Sequence, residues 1–390
     1  MEEKEIGMYI HMPFCRQRCY YCDFTSYADK YDRVARYIKC LKKEIVQYAN
    51  ENRIMSEHGL EPQYVINTIY IGGGTPSSIN EEHIIDVLDT IKGNFKVKNN
   101  AEITIEVNPG TVDRDKLEAY KHCGINRLSI GLQAVQDEIL KRIGRIHTYK
   151  EFKDTYYYAR ESGFDNINVD LMIDLPDQTI DDVKESVKEI LSLKPEHISV
   201  YSLILEQNTK MYEMISSKIV SIAPDEIERQ MYWYVKRTLE KHKYNHYEIS
   251  NFALAGFESR HNMNCWNQQE YIGVGVSASS FMENKRYSNI QEIETYIDNI
   301  EKGAPNRNLI LEETLDKESK MNEFMMLGLR KITGVDIRDF EKTFKVNPIM
   351  RYCRRLEKLN HEGLIEIDAN NIKLTSKGID LANLVWEEFV

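Results

Sequence analysis

The sequence predicts an α/β fold in which six parallel strands and their helices form an open, partial (βα)6 barrel of the TIM-like type. In the first half of the chain, short β-branched runs alternate with stretches of helical periodicity. Start and stop signals flank several of the helical stretches. Six such units indicate a parallel sheet but are two short of a closed eight-stranded barrel. A flat, doubly wound sheet is the alternative.

The predicted strands are Met8–Met12, Thr68–Ile71, Ile103–Val107, Arg127–Ile130, Asn168–Ile173 and Ile198–Ser202. The helical stretches between them include Glu81–Ile91, Asp113–His122, Tyr149–Ser162 and Ile180–Leu193. Asn80 and Thr179 precede acidic first turns, as N-caps commonly do. Ligands of parallel sheets bind beyond the C-terminal ends of the strands, so functional motifs are expected there.

The remainder of the chain divides into two further regions. Residues 224–310 form a connecting region, in which we expect a helix at Asp225–His242 and a strand at Tyr247–Phe252. From residue 311 the pattern is three helices, a hairpin and a last helix: Lys320–Arg330, Val335–Lys342, Pro348–Glu362, Leu364–Asp368 with Ile372–Thr375, and Lys377–Phe389. The predicted domains are therefore a core at 1–223, the connecting region, and a winged-helix-like helical domain at 311–390.

Composition excludes several classes of protein. The 390 residues are 42% hydrophobic and 29% charged, which is ordinary for a globular protein with a substantial core. A net charge of −11 disfavours a surface built to bind nucleic acid. No apolar run is long enough to cross a bilayer, and the N-terminus lacks signal-peptide character. We therefore expect a cytoplasmic protein.

Three of the seven cysteines, Cys15, Cys19 and Cys22, lie within eight residues. Thiolates at such spacing favour soft metals or iron–sulfur clusters. A structural zinc normally takes four protein ligands, and no second Cys or His pair stands out. Three thiolates can hold three corners of a four-iron cube and leave one iron open. The local pattern favours an iron–sulfur cluster, with zinc or ordinary core cysteines as alternatives.

Further unusual motifs follow the predicted strands. In Gly72-Gly73-Gly74-Thr75-Pro76, the missing side chains allow the backbone to approach a ligand, although a plain turn is the alternative. Polar residues recur at or after the next strand ends: Glu106, Gln133, Arg145 and Asp170. A carboxylate in an apolar strand is costly without a partner. Polar groups that converge on one mouth predict a binding site.

The Cys-x-x-x-Cys-x-x-Cys pattern, with Tyr21 before its last cysteine, resembles the signature of the radical SAM superfamily. In that superfamily the open iron binds S-adenosylmethionine (SAM), and reduction of the cluster cleaves SAM to a 5′-deoxyadenosyl radical. The glycine segment resembles the element that meets the SAM amino group. The resemblance implies a 4Fe–4S cluster on Cys15, Cys19 and Cys22, with SAM as a cofactor.

Over nearly its whole length the chain resembles one branch of the superfamily, shared by oxygen-independent coproporphyrinogen III dehydrogenase and the HemW group of haem chaperones. The resemblance implies that Tyr9, Gly73 and Glu106 serve the cluster-bound SAM. It also implies that a larger set lines the SAM region: Tyr21, Gly74, Thr75, Gln133, Arg145, Asp170 and Ile204.

Two features place the chain with the HemW group. Phe24 stands where the dehydrogenase has a fourth cysteine, and only 14 residues precede Cys15, where the dehydrogenase has a long extension. The HemW motif His-Asn-x-x-Tyr-Trp reads His261-Asn-Met-Asn-Cys265-Trp266 here, and Ser279 replaces a histidine of the group. Imidazole and thiolate both ligate haem iron, so His261 or Cys265 is the expected haem contact. A hydrogen-bonded histidine beside a packed tryptophan is the alternative.

The resemblance implies a protein that binds SAM and haem and delivers haem to apo-haemoproteins. Its implied partners also include other tetrapyrroles, an electron donor such as flavodoxin or ferredoxin, and a transient membrane-protein client. The enzymatic alternative is coproporphyrinogen III dehydrogenase or another radical SAM oxidoreductase or methyltransferase that acts on a porphyrin. A winged-helix regulator is a third hypothesis, based on the basic residues Arg351, Arg354, Arg355 and Lys358, and the acidic net charge disfavours it.

Overall fold

The computed structural model describes residues 3–60 and 62–390. Within these residues, twelve strands form one sheet in the order β12-β11-β10-β9-β1-β2-β3-β4-β5-β6-β8-β7. These strands are β1 (Glu3–Met12), β2 (Gln63–Gly73), β3 (Lys96–Val107), β4 (Arg127–Gln133), β5 (Ile167–Ile173), β6 (His197–Ser202), β7 (Asn245–Glu248), β8 (Asn251–Ala253), β9 (Tyr271–Val274), β10 (Ser279–Met282), β11 (Lys285–Asn289) and β12 (Leu309–Thr314). Strands β1 to β6 pair in parallel, which confirms the predicted partial barrel.

The helices are α1 (Val34–Glu57), α2 (Glu81–Asn94), α3 (Arg114–His122), α4 (Asp137–Arg142), α5 (Tyr149–Glu161), α6 (Ile180–Leu193), α7 (Lys210–Ser216), α8 (Asp225–Lys241), α9 (Arg260–Trp266), α10 (Ile293–Glu301), α11 (Lys317–Gly328), α12 (Ile337–Phe344), α13 (Pro348–Arg351), α14 (Cys353–His361), α15 (Ser376–Asp380) and α16 (Ala382–Glu387). Caps predicted from the sequence are present, because Asn80 accepts from Glu82 N and Thr179 forms a capping box with Asp182. In the described part of the chain, no helix combines the length and apolar character that a bilayer crossing requires.

The connecting region completes the sheet at both edges. Strand β9 pairs in parallel with β1, and β10, β11 and β12 extend that edge in antiparallel fashion. At the other edge β8 pairs with β6, and β7 pairs with β8. The single strand predicted at Tyr247–Phe252 is therefore wrong, because the chain reverses between Glu248 and Asn251 to form a hairpin.

The C-terminal domain has its own hydrophobic core, which includes Phe340, Leu356 and Phe389. Its helices surround a small sheet, ordered β13-β15-β14 in the described residues: Val335–Asp336, Asn371–Leu374 and Ile365–Ile367. The helices predicted at Pro348–Glu362 and Lys377–Phe389 are each divided in two, and the one predicted at Val335–Lys342 begins at Ile337. The first division occurs at Tyr352, whose ψ of 21° leaves the helical region while its hydroxyl donates to Asn322.

One arginine lies at the seam between the barrel and the C-terminal domain. The guanidinium of Arg330 lies over the rings of Trp266 and Trp386, with its carbon 4.4 and 4.8 Å from the two ring centroids. Its Nη2 is 4.0 Å from Oε2 of Glu248, a carboxylate whose side chain is fully buried. The backbone carbonyl of Arg330 also accepts from Ile249 N at 3.1 Å. Charge, ring and backbone contacts thus join the two domains through this residue.

Arg330→Ala should lower the free energy of unfolding by about 3 kcal/mol, because it leaves the Glu248 carboxylate buried without its cation. Urea unfolding followed by far-UV circular dichroism measures the loss. Arg351→Ala is the matched control: its ion pair with Glu318 is largely exposed, and we expect a loss below about 1 kcal/mol. The double variant Glu248→Gln/Arg330→Ala should recover part of the stability, since an amide needs no counter-charge. Equal losses for Arg330→Ala and Arg351→Ala would contradict this account of the seam.

Candidate functional site

A pocket of about 390 Å³ opens at the C-terminal ends of β1 to β6. It brings together most of the predicted site residues: Cys15, Cys19, Tyr21, Cys22, Gly73, Gly74, Thr75, Glu106, Gln133, Arg145 and Asp170. Parallel strands end at one edge, so residues that are distant in sequence meet there. The other predicted residues, Tyr9, Ile204, His261 and Cys265, lie outside the lining of this pocket.

Backbone hydrogen bonds fix the cysteine loop over the end of β1. Cys15 N donates to Tyr27 O at 3.1 Å, and Tyr27 N donates to Pro13 O at 2.7 Å, so the loop returns alongside its own start. Farther along, Tyr20 N donates to Ile143 O at 3.0 Å. These contacts hold the loop that carries the three cysteines, all of which line the pocket.

Donors in the pocket point at the sulfur atoms. Thr75 Oγ1 lies 3.4 Å from Cys15 Sγ, and Arg145 Nη1 lies 3.5 Å from Cys19 Sγ. Burial raises the pKa of the Cys15 thiol and raises that of Cys22 to about 11, so these thiols carry protons until a metal displaces them. Hydrogen-bond donors and a guanidinium stabilise the thiolates that would then form. The sulfur environment therefore suits an anionic metal cluster.

Arg145 is held rigidly beside Cys19. Its Nη2 donates to Asn108 Oδ1 at 2.7 Å and to the Gly131 carbonyl at 2.6 Å. Among the described residues, no group of three or more His, Cys, Asp or Glu side chains converges on one metal-ion position. A four-iron cube takes one thiolate on each of three irons, so its ligands need not converge on a single point.

The glycine loop after β2 packs directly against the cysteine loop. Gly74 N donates to Met12 O at 2.9 Å, and a Cβ on Gly74 would lie 2.8 Å from that same carbonyl oxygen. Gly73 has a φ of +107°, which side-chain-bearing residues rarely adopt, and its N–H donates to Glu106 Oε2 at 3.2 Å. The glycines thus permit close docking of the two loops and also support the carboxylate of Glu106.

Glu106 points into the pocket from the end of β3 and is half-buried. The Tyr70 hydroxyl donates to its Oε1 at 2.9 Å. Burial, with a smaller effect from the neighbouring Asp170, raises the pKa of Glu106 to about 7. A carboxylate held in this way is a suitable acceptor for an amino group of a ligand.

The far wall of the pocket contains a second carboxylate and a strained residue. Asp170 accepts from Asn168 Nδ2 at 2.8 Å and from Ser129 Oγ at 3.3 Å, while burial raises its pKa. Gln133 has a φ of +72° at the point where the β4–β5 register shifts. Positive φ at a residue with a side chain is commonly found where a ligand site requires it.

The predicted residues outside the pocket have other surroundings. Tyr9 hydrogen-bonds His11 Nδ1 at 3.0 Å, and its ring stacks on Tyr70 at 6.3 Å. Ile204 is 70% exposed in the loop after β6. His261 and Cys265 lie on α9, and the ring of His261 contacts Thr68 in the middle of β2.

Sequence reasoning missed several residues that line the pocket: Gln17, Arg18, Phe24, Tyr70, Val107, Asn108, Ser129, Gly131, Met172 and Tyr201. Strand alternation is a signal that could have found some of them. Tyr70 stands two residues before Gly72, and Met172 stands two after Asp170. Each therefore shares the barrel-facing side with a motif residue.

Comparison with known proteins agrees with this geometry. Residues 9–190 match the profile of the radical SAM superfamily, and residues 315–381 match the HemN C-terminal domain. The chain is 36% identical to heme chaperone HemW of Lactococcus lactis over 390 residues, covering 100% of this chain and 98% of that one. It is 37% identical to heme chaperone HemW of Bacillus subtilis, covering 98% of each. The chain belongs to the HemW family.

A structural match supports the fold of this HemW family member. The Escherichia coli radical SAM enzyme coproporphyrinogen III oxidase (HemN) superposes with a TM-score of 0.85, covering 100% of this chain and 90% of that one at 22% identity. That identity is too low to transfer more than the fold. A radical SAM domain implies a 4Fe–4S cluster and SAM. The three thiols, the guanidinium beside Cys19 and the carboxylate of Glu106 fit such a pair.

Anaerobic reconstitution should load about four irons per chain, as a cubane requires. Replacing Cys15, Cys19 or Cys22 by Ala should abolish the iron content and the brown colour, because each thiolate holds a separate iron. Cys40→Ala and Cys123→Ala are controls that should retain both, since these cysteines lie away from the pocket. Metal analysis that finds zinc in place of iron in carefully anaerobic protein would refute the cluster.

Glu106→Gln should weaken SAM binding at least about tenfold, the effect of losing one charged hydrogen-bond acceptor, and leave the iron content unchanged. It should also stabilise the SAM-free protein above pH 7. With its pKa raised, Glu106 binds more protons in the folded state than in the unfolded state, so its contribution lowers stability as pH rises from about 4.5 to 7. Thermal unfolding of the wild type and of Glu106→Gln at pH 5 and pH 8 measures this difference in stability. A variant with no added stability at pH 8 would contradict the raised pKa.

Proposed function

We propose that this protein is a haem chaperone that binds a 4Fe–4S cluster on Cys15, Cys19 and Cys22, binds SAM beside it, and delivers haem to apo-haemoproteins. The observation that carries the proposal is the shared pocket, where three thiols and the carboxylate of Glu106 face one space. Full-length similarity to proteins named heme chaperone HemW supports the chaperone role.

In this proposal the glycine loop and Glu106 hold the amino group of SAM. The backbone N–H of Gly73 fixes the carboxylate of Glu106. The remaining SAM contacts come from further pocket residues: Tyr21, Gly74, Thr75, Gln133, Arg145 and Asp170. SAM and the cluster together supply reductive cleavage chemistry when both are bound. An electron donor such as flavodoxin or ferredoxin would reduce the cluster.

For the haem contact we propose Cys265 in preference to His261. Cys265 is half-buried on α9, whereas the ring of His261 is enclosed and one of its nitrogens is 2.9 Å from Thr68 Oγ1. Ligation by His261 would require α9 to leave its place against the barrel. Burial raises the pKa of the Cys265 thiol to about 11, so iron must displace its proton to form a thiolate ligand.

Haem titration of the reconstituted protein under reducing, anaerobic conditions tests the proposal. We expect saturable binding, loss of a thiolate-type spectrum in Cys265→Ser, and an unchanged spectrum in His261→Ala. Cys353→Ser is the matched control, because Cys353 is exposed and would reveal unspecific binding of haem to a surface thiol. A wild-type protein without saturable haem binding would refute the chaperone function and leave the radical SAM assignment in place.

One pocket residue, Phe24, bears on the enzymatic alternative. In this chain Phe24, 63% exposed at the pocket, occupies the position where coproporphyrinogen III dehydrogenase has a fourth cysteine. This substitution favours the chaperone over the dehydrogenase. Incubation with SAM, a reductant and coproporphyrinogen III distinguishes them, since turnover would accumulate 5′-deoxyadenosine together with a modified porphyrin.

A further inference from the structure

Helix α9 closes the barrel at the end opposite the pocket. Its first backbone amides are held by one carboxylate, because Arg260 N and His261 N donate to the two oxygens of Glu102, each at 3.0 Å. Glu102 lies four residues before Glu106 on β3, so both carboxylates face the interior. The helix that carries His261 is therefore attached to the strand that carries the SAM-facing carboxylate.

The ring of His261 packs on the face of the sheet over the paired strands β1 and β2, beside Gly7 and Thr68. Its Nδ1 lies 2.9 Å from Thr68 Oγ1, and the side chain is only 7% exposed. The ring also lies close to β1, since a Cβ built on Gly7 would be in van der Waals contact with His261 Cε1, at 3.5 Å. The imidazole stacks on Tyr70, with the ring centroids 5.3 Å apart and the planes inclined by 29°.

Tyr70 connects this ring to the pocket. The Tyr70 ring stacks on the ring of His261 and also on that of Tyr9, whose centroid is 6.3 Å away. The Tyr70 hydroxyl donates to Glu106 at 2.9 Å. A tyrosine packed in this way has little freedom to rotate, so its hydroxyl stays directed at one carboxylate oxygen. The other oxygen is held by Gly73 N. The position of Glu106 thus depends on two contacts, and one of them depends on His261.

We propose that His261 is a positioning residue for SAM, which fixes Tyr70 and through it the carboxylate of Glu106. The proposal rests on the proposed function, because it assumes that the pocket binds SAM. It assigns to the His-Asn-x-x-x-Trp segment a role in the cofactor site, separate from any contact with haem. The stacked ring carries this role, while the hydrogen bond to Thr68 serves to orient the ring.

The test is SAM affinity, measured by equilibrium dialysis on reconstituted protein, in three variants. His261→Ala should weaken SAM binding about three- to tenfold, the effect of losing one aromatic contact, with unchanged iron content. His261→Phe should restore the affinity, because it keeps a ring against Tyr70. Asn264→Ala is the matched control: it removes another contact of α9 with β2, the 3.1 Å hydrogen bond to Asn67, which does not involve Tyr70. Its SAM affinity should equal that of the wild type.

Several outcomes would overturn the proposal. Wild-type SAM affinity in His261→Ala would do so, as would failure of His261→Phe to restore it or an equal loss in Asn264→Ala. Loss of haem binding in both His261 variants, with SAM affinity unchanged, would make His261 a haem ligand instead. Absence of SAM binding in the wild type would refute the proposed function itself, and that result is distinct from all the others.

Discussion

The interior of the barrel is lined by polar side chains shielded from bulk water, so they have to satisfy their hydrogen bonds with one another. Asn168 illustrates this: it donates to Ser129 Oγ and accepts from His197 Nδ1, and the other nitrogen of His197 is 2.8 Å from the Tyr247 hydroxyl. A buried polar group left unpaired costs about 1–3 kcal/mol, so each pairing restricts where the next strand or loop can lie. Pairing of the same kind directs Glu106, whose two carboxylate oxygens accept from the Tyr70 hydroxyl and from Gly73 N.

The need to pair buried polar groups is met by different partners at the two ends of the barrel. At the mouth, Arg145 and Thr75 direct donors at sulfur atoms, and those sulfurs can exchange their protons for a metal cluster. At the base, Glu102 satisfies the first amides of α9, which no helical carbonyl can reach. Strand β3 contributes a carboxylate to each end, so its register sets the position of both the cofactor pocket and the helix that closes the barrel.

Patterns that depend on a few neighbouring residues were predictable from the sequence. The parallel strands, the helix caps and the cysteine and glycine loops follow from alternation, capping residues and motif spacing. The structure confirms the partial barrel. The β7–β8 reversal was not predictable, because Glu248 and Asn251 close it through a buried hydrogen bond rather than through typical turn residues. The placement of His261 against Tyr70 depends on contacts between residues almost 200 positions apart, which local patterns do not contain.

The seam between the domains has a consequence for how the protein can be observed. The chain has three tryptophans, and all of them lie there: Trp266 and Trp386 enclose Arg330, and Trp233 donates to Asp380 of the C-terminal domain at 2.7 Å. The emission of an indole responds to the charge and hydration around it. Intrinsic fluorescence of this protein therefore reports the docking of one domain on the other.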